Sequence, residues 1–185
     1  MTRKKGYSLR AWIVPALALV AALAGFGPSA GAQPQPGPDG WLPFEGSWSA
    51  VGDVQTIPIG GERRALILRM TGSIVLTAGE GLSRGFHAEA IGFDDGRGLS
   101  VGAGVWTDDR GDRIFSTMTG GAVGTGNHVS GVITGGTGRY AGVVGEYSFD
   151  WQYVVSGEDG KIQGRSVTLK GRARLAPAPA GDARR

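Results

Sequence analysis

Cysteine is absent from the 185 residues of this chain. A protein without cysteine forms no disulfide bonds and offers neither a reactive thiol nor a thiolate ligand for a metal. Its fold must therefore be held by core packing and hydrogen bonds alone. The chain is long enough for this, since a domain of about 150 residues buries roughly 70% of the surface that its unfolded chain exposes.

Histidine is scarce. Gly-x-Ser-x-Gly occurs at residues 81–85 and 98–102, but a strand and not a helix is predicted after each, whereas the nucleophile turn of serine hydrolases leads into a helix. His87 lies two residues before Glu89, so the two side chains share a strand face and can act as a general base and its orienting acid. Glu146 and Asp150 are the other candidates for acid–base catalysis. The alternative for His87 is an ordinary exposed side chain. The second histidine, His128, lies far from the first in sequence, and no metal or cofactor is expected.

Lysine and arginine form no block or stripe of the kind that binds nucleic acid. The chain has 19 basic and 16 acidic residues, but four of the basic residues and none of the acidic ones lie within residues 1–32. The rest of the chain carries 15 basic and 16 acidic residues and is nearly neutral. No nucleic-acid partner is therefore expected.

The first 32 residues have the three parts of a secretory signal peptide. Four basic residues precede an apolar run from Ala11 to about Phe26, and Ala30-Gly31-Ala32 places small residues at the −3 and −1 positions. We predict cleavage after Ala32 and export to the periplasm or the medium. A retained membrane anchor is the alternative, although the apolar run is short of the ~20 residues that span a bilayer.

The remaining chain divides into three parts by composition. Residues 33–40 form a proline-rich linker, residues 41–175 form one domain, and residues 176–185 are a Pro/Ala tail that we expect to be disordered. Within the domain, glycine-rich clusters recur between short segments rich in β-branched and aromatic residues, which is typical of hairpin turns between strands. The eight predicted strands run near Phe44–Gly52, Arg63–Thr77, Gly85–Phe93, Leu99–Thr107, Asp112–Gly120, Asn127–Thr134, Val143–Val155 and Gln163–Leu175.

The seventh segment alternates with period two, as a half-buried strand requires. Tyr147, Trp151 and Tyr153 share one face with Phe149, and polar residues occupy the other. Eight such strands predict an all-β fold, an eight-stranded antiparallel β-barrel whose interior is filled by side chains or holds one small ligand. A two-sheet sandwich is the alternative. An outer-membrane barrel would need a continuous outward apolar band, whereas the last strand carries three basic residues opposite its apolar face.

Residues 108–112 bring three carboxylates, those of Asp108, Asp109 and Asp112, into one short segment. Clustered carboxylate oxygens suit Ca²⁺, yet the spacing does not match an EF-hand loop. We therefore predict a solvated hairpin turn rather than a metal site.

The most specific stretch is residues 133–146, which read ITGGTGRYAGVVGE. It resembles the GGTG[R/K]Y signature of the allene oxide cyclase and dirigent-like barrels, where this signature forms the turn between two neighbouring strands. The resemblance implies an eight-stranded antiparallel barrel with a central cavity, often in a homo-oligomer. It places no catalytic residue of the cyclase on this chain. It implies a structural role for the turn residues Gly135, Gly136, Thr137, Gly138, Arg139 and Tyr140. The rival interpretation, a phosphate-binding loop, needs a helix directly after it, and a strand is predicted there.

Aromatic side chains are the strongest candidates for contact with a ligand, because small-molecule pockets are largely apolar. They are equally suited to filling a small barrel core. We predict an exported binder of a small apolar or aromatic molecule that is not embedded in a membrane. A cyclase- or isomerase-type enzyme and a structural or interaction module without ligand are the alternatives. The candidate ligand-binding residues are Trp48, Trp106, Tyr147, Trp151 and Tyr153.

Overall fold

The computed structural model describes residues 39–97, 99–120 and 127–177. The predicted signal peptide, residues 33–38 of the predicted linker and residues 178–185 of the predicted tail lie outside the described residues. Within the described residues, helical structure is limited to one 3₁₀ turn, Gly138–Tyr140. No helix in this part of the chain is long and apolar enough to cross a membrane.

Eight antiparallel strands close into one barrel, in which each strand pairs with its neighbours in sequence and the last strand pairs with the first. The predicted eight-stranded antiparallel barrel is confirmed, and the alternative of a two-sheet sandwich is wrong. Closure gives every strand a partner on both sides, so that none is an edge strand along its whole length. The strands are β1 Leu42–Pro58, β2 Arg64–Gly79, β3 Gly85–Asp94, β4 Ser100–Thr107, β5 Arg113–Gly120, β6 Asn127–Gly136, β7 Val144–Ser156 and β8 Lys161–Arg174.

The first hairpin is longer than the sequence pattern predicts. β1 was expected to end near Gly52 but continues to Pro58, paired with the start of β2. Its pairing with β8 ends at Asp53, so the last residues of β1 hydrogen-bond to β2 alone. The turn that joins β1 to β2 uses Gly60 and Gly61, whose φ angles of +99° and +61° are strained for other residues.

The barrel interior is filled by a continuous series of aromatic rings. β7 supplies Tyr147, Phe149 and Trp151 to the buried face, as its period-two alternation predicts. Inward-facing glycines on neighbouring strands make room for them: a Cβ atom at Gly131 would overlap the ring of Tyr147, and one at Gly164 would overlap Trp151. Contacts between rings run the length of the barrel in the order Tyr153, Trp151, Trp48, Phe149, Tyr147, Trp106, Phe86 and Tyr140.

One end of the barrel is closed by side chains. The connections β2–β3, β4–β5 and β6–β7 meet there, and Tyr140 and Val143 from the last of them are both fully buried. The Tyr140 hydroxyl accepts a hydrogen bond from the backbone N–H of Ser83, at 3.1 Å, and its ring lies 5.9 Å from that of Phe86. We call this the plugged end.

Candidate functional site in the barrel interior

A cavity of about 90 Å³ lies at the end of the barrel opposite the plugged end. It is bounded by the later parts of β3, β5 and β7, the beginning of β4, and the middle of β1. A protein cavity of about 150 Å³ holds a benzene molecule, so this one is of a size for part of a small ring. We call it the mouth cavity.

One wall of the mouth cavity is aromatic. Trp48 of β1 packs against Trp151 and Phe149 of β7, with ring centroids 5.1 Å and 5.9 Å apart. Tyr153 extends this wall beyond Trp151, at 6.1 Å. The backbone N–H of Trp48 donates a hydrogen bond to the Ser166 hydroxyl, at 2.7 Å, which fixes β1 against β8 behind the wall.

The facing wall is made partly of backbone, and we call it the glycine wall. Gly92, Gly102 and Gly120 occupy inward-facing positions on β3, β4 and β5 and line the cavity. A Cβ atom at Gly92 would lie 3.6 Å from the carbonyl oxygen of Val101 and 3.7 Å from Leu68 Cβ, which is ordinary van der Waals contact. Gly92 therefore has room for a side chain, whereas a Cβ atom at Gly102 would lie 2.7 Å from the carbonyl oxygen of Ile91 and one at Gly120 would lie 2.9 Å from that of His128.

A buried polar pair, Ser116 and Tyr147, lies deeper in the barrel, and neither residue lines the mouth cavity. The hydroxyl groups of Ser116 and Tyr147 are 2.9 Å apart and hydrogen-bonded, and both residues are buried. Burial raises the pKa of Tyr147 to about 12 even though the hydrogen bond with Ser116 lowers it, so Tyr147 is a neutral phenol near neutral pH. A gap of only about 10 Å³ lies beside Trp106 and Tyr147.

Two polar groups of the aromatic wall have no partner. Within the described residues, neither Nε1 of Trp48 nor Nε1 of Trp151 has a hydrogen-bond acceptor, although both atoms are buried. Asp94 Oδ2, near the same end of the barrel, is also buried and unpaired among those residues. Its other oxygen, Oδ1, accepts a hydrogen bond from the N–H of Gly96 at 2.7 Å.

The five aromatic residues predicted to bind a ligand fall into two groups. Trp48, Trp151 and Tyr153 line the mouth cavity. Trp106 and Tyr147 lie deeper and border the small inner gap instead. The prediction of ligand contact is therefore best supported for the first three.

The candidate acid–base residues lie on the outer face of the barrel. Among the described residues, His87 Nε2 has Thr71 Oγ1 at 3.4 Å, and Glu89 is exposed beside it on the same strand. Glu146 forms an exposed ion pair with Arg172, with 2.8 Å between Oε1 and Nη2. Their side chains point away from the mouth cavity because inward and outward positions alternate along each strand.

Asp150, the fourth candidate, forms a hydrogen-bonded pair with His128, whose Nδ1 lies 2.9 Å from Asp150 Oδ1. Thr168 donates a hydrogen bond to the other carboxylate oxygen at 3.2 Å. The hydrogen bond from His128 and then that from Thr168 lower the pKa of Asp150 despite some desolvation. This pair was not expected from the sequence, because it depends on the register between β6 and β7.

The turn that carries the GGTGRY stretch joins β6 to β7 at the plugged end. Gly135 and Gly136 end β6, and the side-chain oxygen of Thr137 accepts a hydrogen bond from the N–H of Arg113 at 3.0 Å. Gly138 has φ of +55°, and a Cβ atom there would collide with the Asp112 carboxylate. The chain needs glycine at this position for both reasons.

Arg139 of this turn pairs with Asp108 of the β4–β5 turn. The expected solvated turn is wrong for Asp108, whose side chain is fully buried. Burial raises its pKa, but hydrogen bonds from the N–H of Arg110, the guanidinium of Arg139 and the N–H of Asp112 outweigh burial and lower it overall. The pair therefore joins two turns across the plugged end.

Among residues 39–97, 99–120 and 127–177, no three His, Asp or Glu side chains come together in a way that could hold a metal ion. Comparisons with family models, with curated proteins and with solved structures returned no match to this chain. The resemblance to the allene oxide cyclase and dirigent-like barrels stays a prediction.

Proposed function

We propose that this protein binds a small apolar molecule in the mouth cavity of its barrel. The observation that carries the proposal is the cavity itself, in which an aromatic wall faces a glycine wall. Ligand pockets are concave and mostly apolar with a few polar groups, and the mouth cavity has this composition. The resemblance to the allene oxide cyclase and dirigent-like barrels points in the same direction, because it implies a barrel with a central cavity.

Binding is better supported than catalysis of the cyclase or isomerase type. A general acid or base must lie within hydrogen-bond reach of the reacting group. The four candidates named from the sequence face outward, and Tyr147, which lies deeper than the mouth cavity, has a pKa of about 12. A barrel without any ligand is the remaining alternative, and the following experiment separates it from a binding protein.

The glycine wall allows the mouth cavity to be filled without disturbing the aromatic wall. Gly92→Val adds a side chain that projects into the cavity from a position with ordinary contacts around Cβ. Gly85→Val is the matched control on the same strand, since a Cβ atom there meets nothing within 4 Å. We expect cyclopentane to bind the wild-type protein and the Gly85→Val variant, and to bind Gly92→Val at least tenfold more weakly.

The measurement is a titration followed by the indole N–H resonances in ¹H–¹⁵N NMR spectra. Shifts confined to Trp48 and Trp151, and lost in Gly92→Val, would support binding in the mouth cavity. Equal affinity of all three proteins for cyclopentane, or no saturable binding by any of them, would contradict the proposal. Thermal unfolding of both variants verifies that each is folded.

A further inference from the structure

Two buried indole N–H groups in the aromatic wall are the least satisfied donors near the mouth cavity. Trp48 is 7% exposed and Trp151 is 5% exposed, and neither Nε1 atom has an acceptor among the described residues. Buried indole nitrogens usually find a hydrogen-bond partner, and most buried polar atoms in folded proteins have one. A donor left without one costs about 1–3 kcal/mol.

Several other polar groups of the barrel interior are paired. The hydroxyls of Ser116 and Tyr147 bond to each other, and the Tyr140 hydroxyl accepts from Ser83. Even the backbone N–H of Trp48 has its acceptor in Ser166. The other buried side-chain atoms without a partner among the described residues are Arg63 Nε and Asp94 Oδ2, and neither residue lines the mouth cavity.

The two rings belong to a single binding surface. Their centroids are 5.1 Å apart and their planes are inclined at 50°. Both line the mouth cavity, so one small molecule can contact both. A ligand that fits the apolar space and also supplies an acceptor would gain a hydrogen bond that the empty cavity lacks.

The charges of the residues at the mouth cavity limit the chemical class of the acceptor. No Lys, Arg or His is among the residues that line it. The inward-facing residue that follows Gly92 on β3 is an acid, Asp94, which is 2% exposed. A carboxylate or phosphate ligand would find no counter-ion among these lining residues, and removing such a group from water without one is costly.

We infer that the ligand is a neutral, mostly apolar molecule with a carbonyl- or ether-type oxygen, which accepts a hydrogen bond from the indole of Trp48 or Trp151. This inference rests on the proposed binding function and names the chemical class of its ligand. The apolar part of the ligand packs between the aromatic and glycine walls. The oxygen supplies the acceptor that the wall lacks.

A pair of isosteric probes tests the inference. Cyclopentanone and methylenecyclopentane have nearly the same shape, but only the ketone carries an acceptor oxygen. We expect the wild-type protein to bind cyclopentanone about tenfold more tightly, which corresponds to about 1.4 kcal/mol. The indole proton of Trp48 or Trp151 should shift downfield with the ketone and not with the hydrocarbon.

The two tryptophans are then replaced singly, as Trp48→Phe and Trp151→Phe. Each replacement removes an N–H and also loosens packing. Loosened packing weakens the binding of both probes equally, so the readout is the ratio of the two affinities. The ratio should fall towards one in at least one variant. Trp41 provides the internal control, because it lies at the plugged end beneath Arg172 and its resonance should not move.

The outcomes distinguish this inference from the proposed function. Equal binding of both probes by the wild-type protein would overturn the inference and leave the proposed function standing. An unchanged preference for the ketone in both Trp→Phe variants would also overturn it. Failure of both probes to bind would overturn the inference and the proposed function together.

Discussion

Among the described residues, Thr168 is the only one other than glycine whose φ angle is positive, at +57°. It lies in β8 where the register with β7 shifts between Ser148 and Asp150. A non-glycine residue in a sparsely populated backbone region costs about 1–3 kcal/mol, and a β-branched side chain is poorly suited to it. The hydrogen bond from Thr168 to Asp150 offsets part of this cost.

Thr168→Asn should therefore stabilise the barrel by about 1 kcal/mol, because asparagine tolerates the left-handed region and keeps a polar side chain near Asp150. Thr168→Val is the matched control, since it keeps the β-branch and loses the hydroxyl, and it should be no more stable than the wild type. Urea unfolding gives both free energies. A loss of stability in Thr168→Asn would contradict this account of the strain.

At the scale of elements, the plugged end is held by contacts between connections as well as by the strands. Arg139 of the β6–β7 connection binds Asp108 of the β4–β5 connection, and its guanidinium carbon lies 5.0 Å from the centre of the Tyr140 ring. The Arg139 side chain is 33% exposed while that of Asp108 is fully buried. The buried Asp108 carboxylate would therefore lose more than the partly exposed Arg139 guanidinium if the pair were broken.

This pair should make stability depend on pH in the acid range. The pKa of Asp108 is lower in the folded protein than its ordinary value, so the unfolded chain takes up its proton at a higher pH. The stabilisation is complete above the ordinary carboxyl pKa of about 3.9 and is lost as the pH falls through the folded value. We expect Asp108→Asn to lose about 2 kcal/mol at pH 7 and to show a flatter decline between pH 5 and pH 2.

Urea unfolding at a series of pH values measures this slope. Asp109→Asn is the control in the same turn, because Asp109 is 77% exposed and lies 3.8 Å from Arg139. It should follow the wild-type curve closely. An Asp108→Asn curve parallel to that of the wild type would show that the pair does not govern the acid response.

The strands were predictable from sequence because alternation along one strand is a local property. Tyr147 and Trp151 were assigned to the buried face from spacing alone, and burial agrees. The pairing of His128 with Asp150 was not predictable from the sequence, since it depends on which residues face each other across β6 and β7. Gly92 was hidden for a related reason: a glycine inside a strand indicates missing volume only when the opposite wall is known.

The burial of Asp108 was missed because a cluster of carboxylates ordinarily indicates a solvated turn. Nothing in residues 108–112 shows that an arginine about 30 positions later returns to the same end of the barrel. The GGTGRY stretch was the available signal, since it placed Arg139 in a turn next to the barrel end. Contacts between turns at one end follow from the closed topology, which only the complete strand order gives.

On the scale of the whole molecule, the predicted export remains to be tested, as does the homo-oligomer implied by the resemblance. A C-terminally tagged chain should be recovered outside the cytoplasm with Gln33 as its first residue, as judged by mass spectrometry of the intact protein. Ala32→Arg should block this processing, because signal cleavage requires a small residue at the −1 position. Recovery of the folded, tagged protein with Met1 intact would contradict the prediction of a cleaved signal peptide.

The series of aromatic rings through the barrel has a spectroscopic consequence. Each ring lies within 6.4 Å of the next, from Tyr153 beside the mouth cavity to Tyr140 at the plugged end. At such separations the electronic transitions of neighbouring rings couple, and excitation of a Phe or Tyr ring passes to the tryptophans, whose excited states lie lowest in energy. The near-ultraviolet circular dichroism and the intrinsic fluorescence of this protein thus report on both ends of the barrel at once, without an added label.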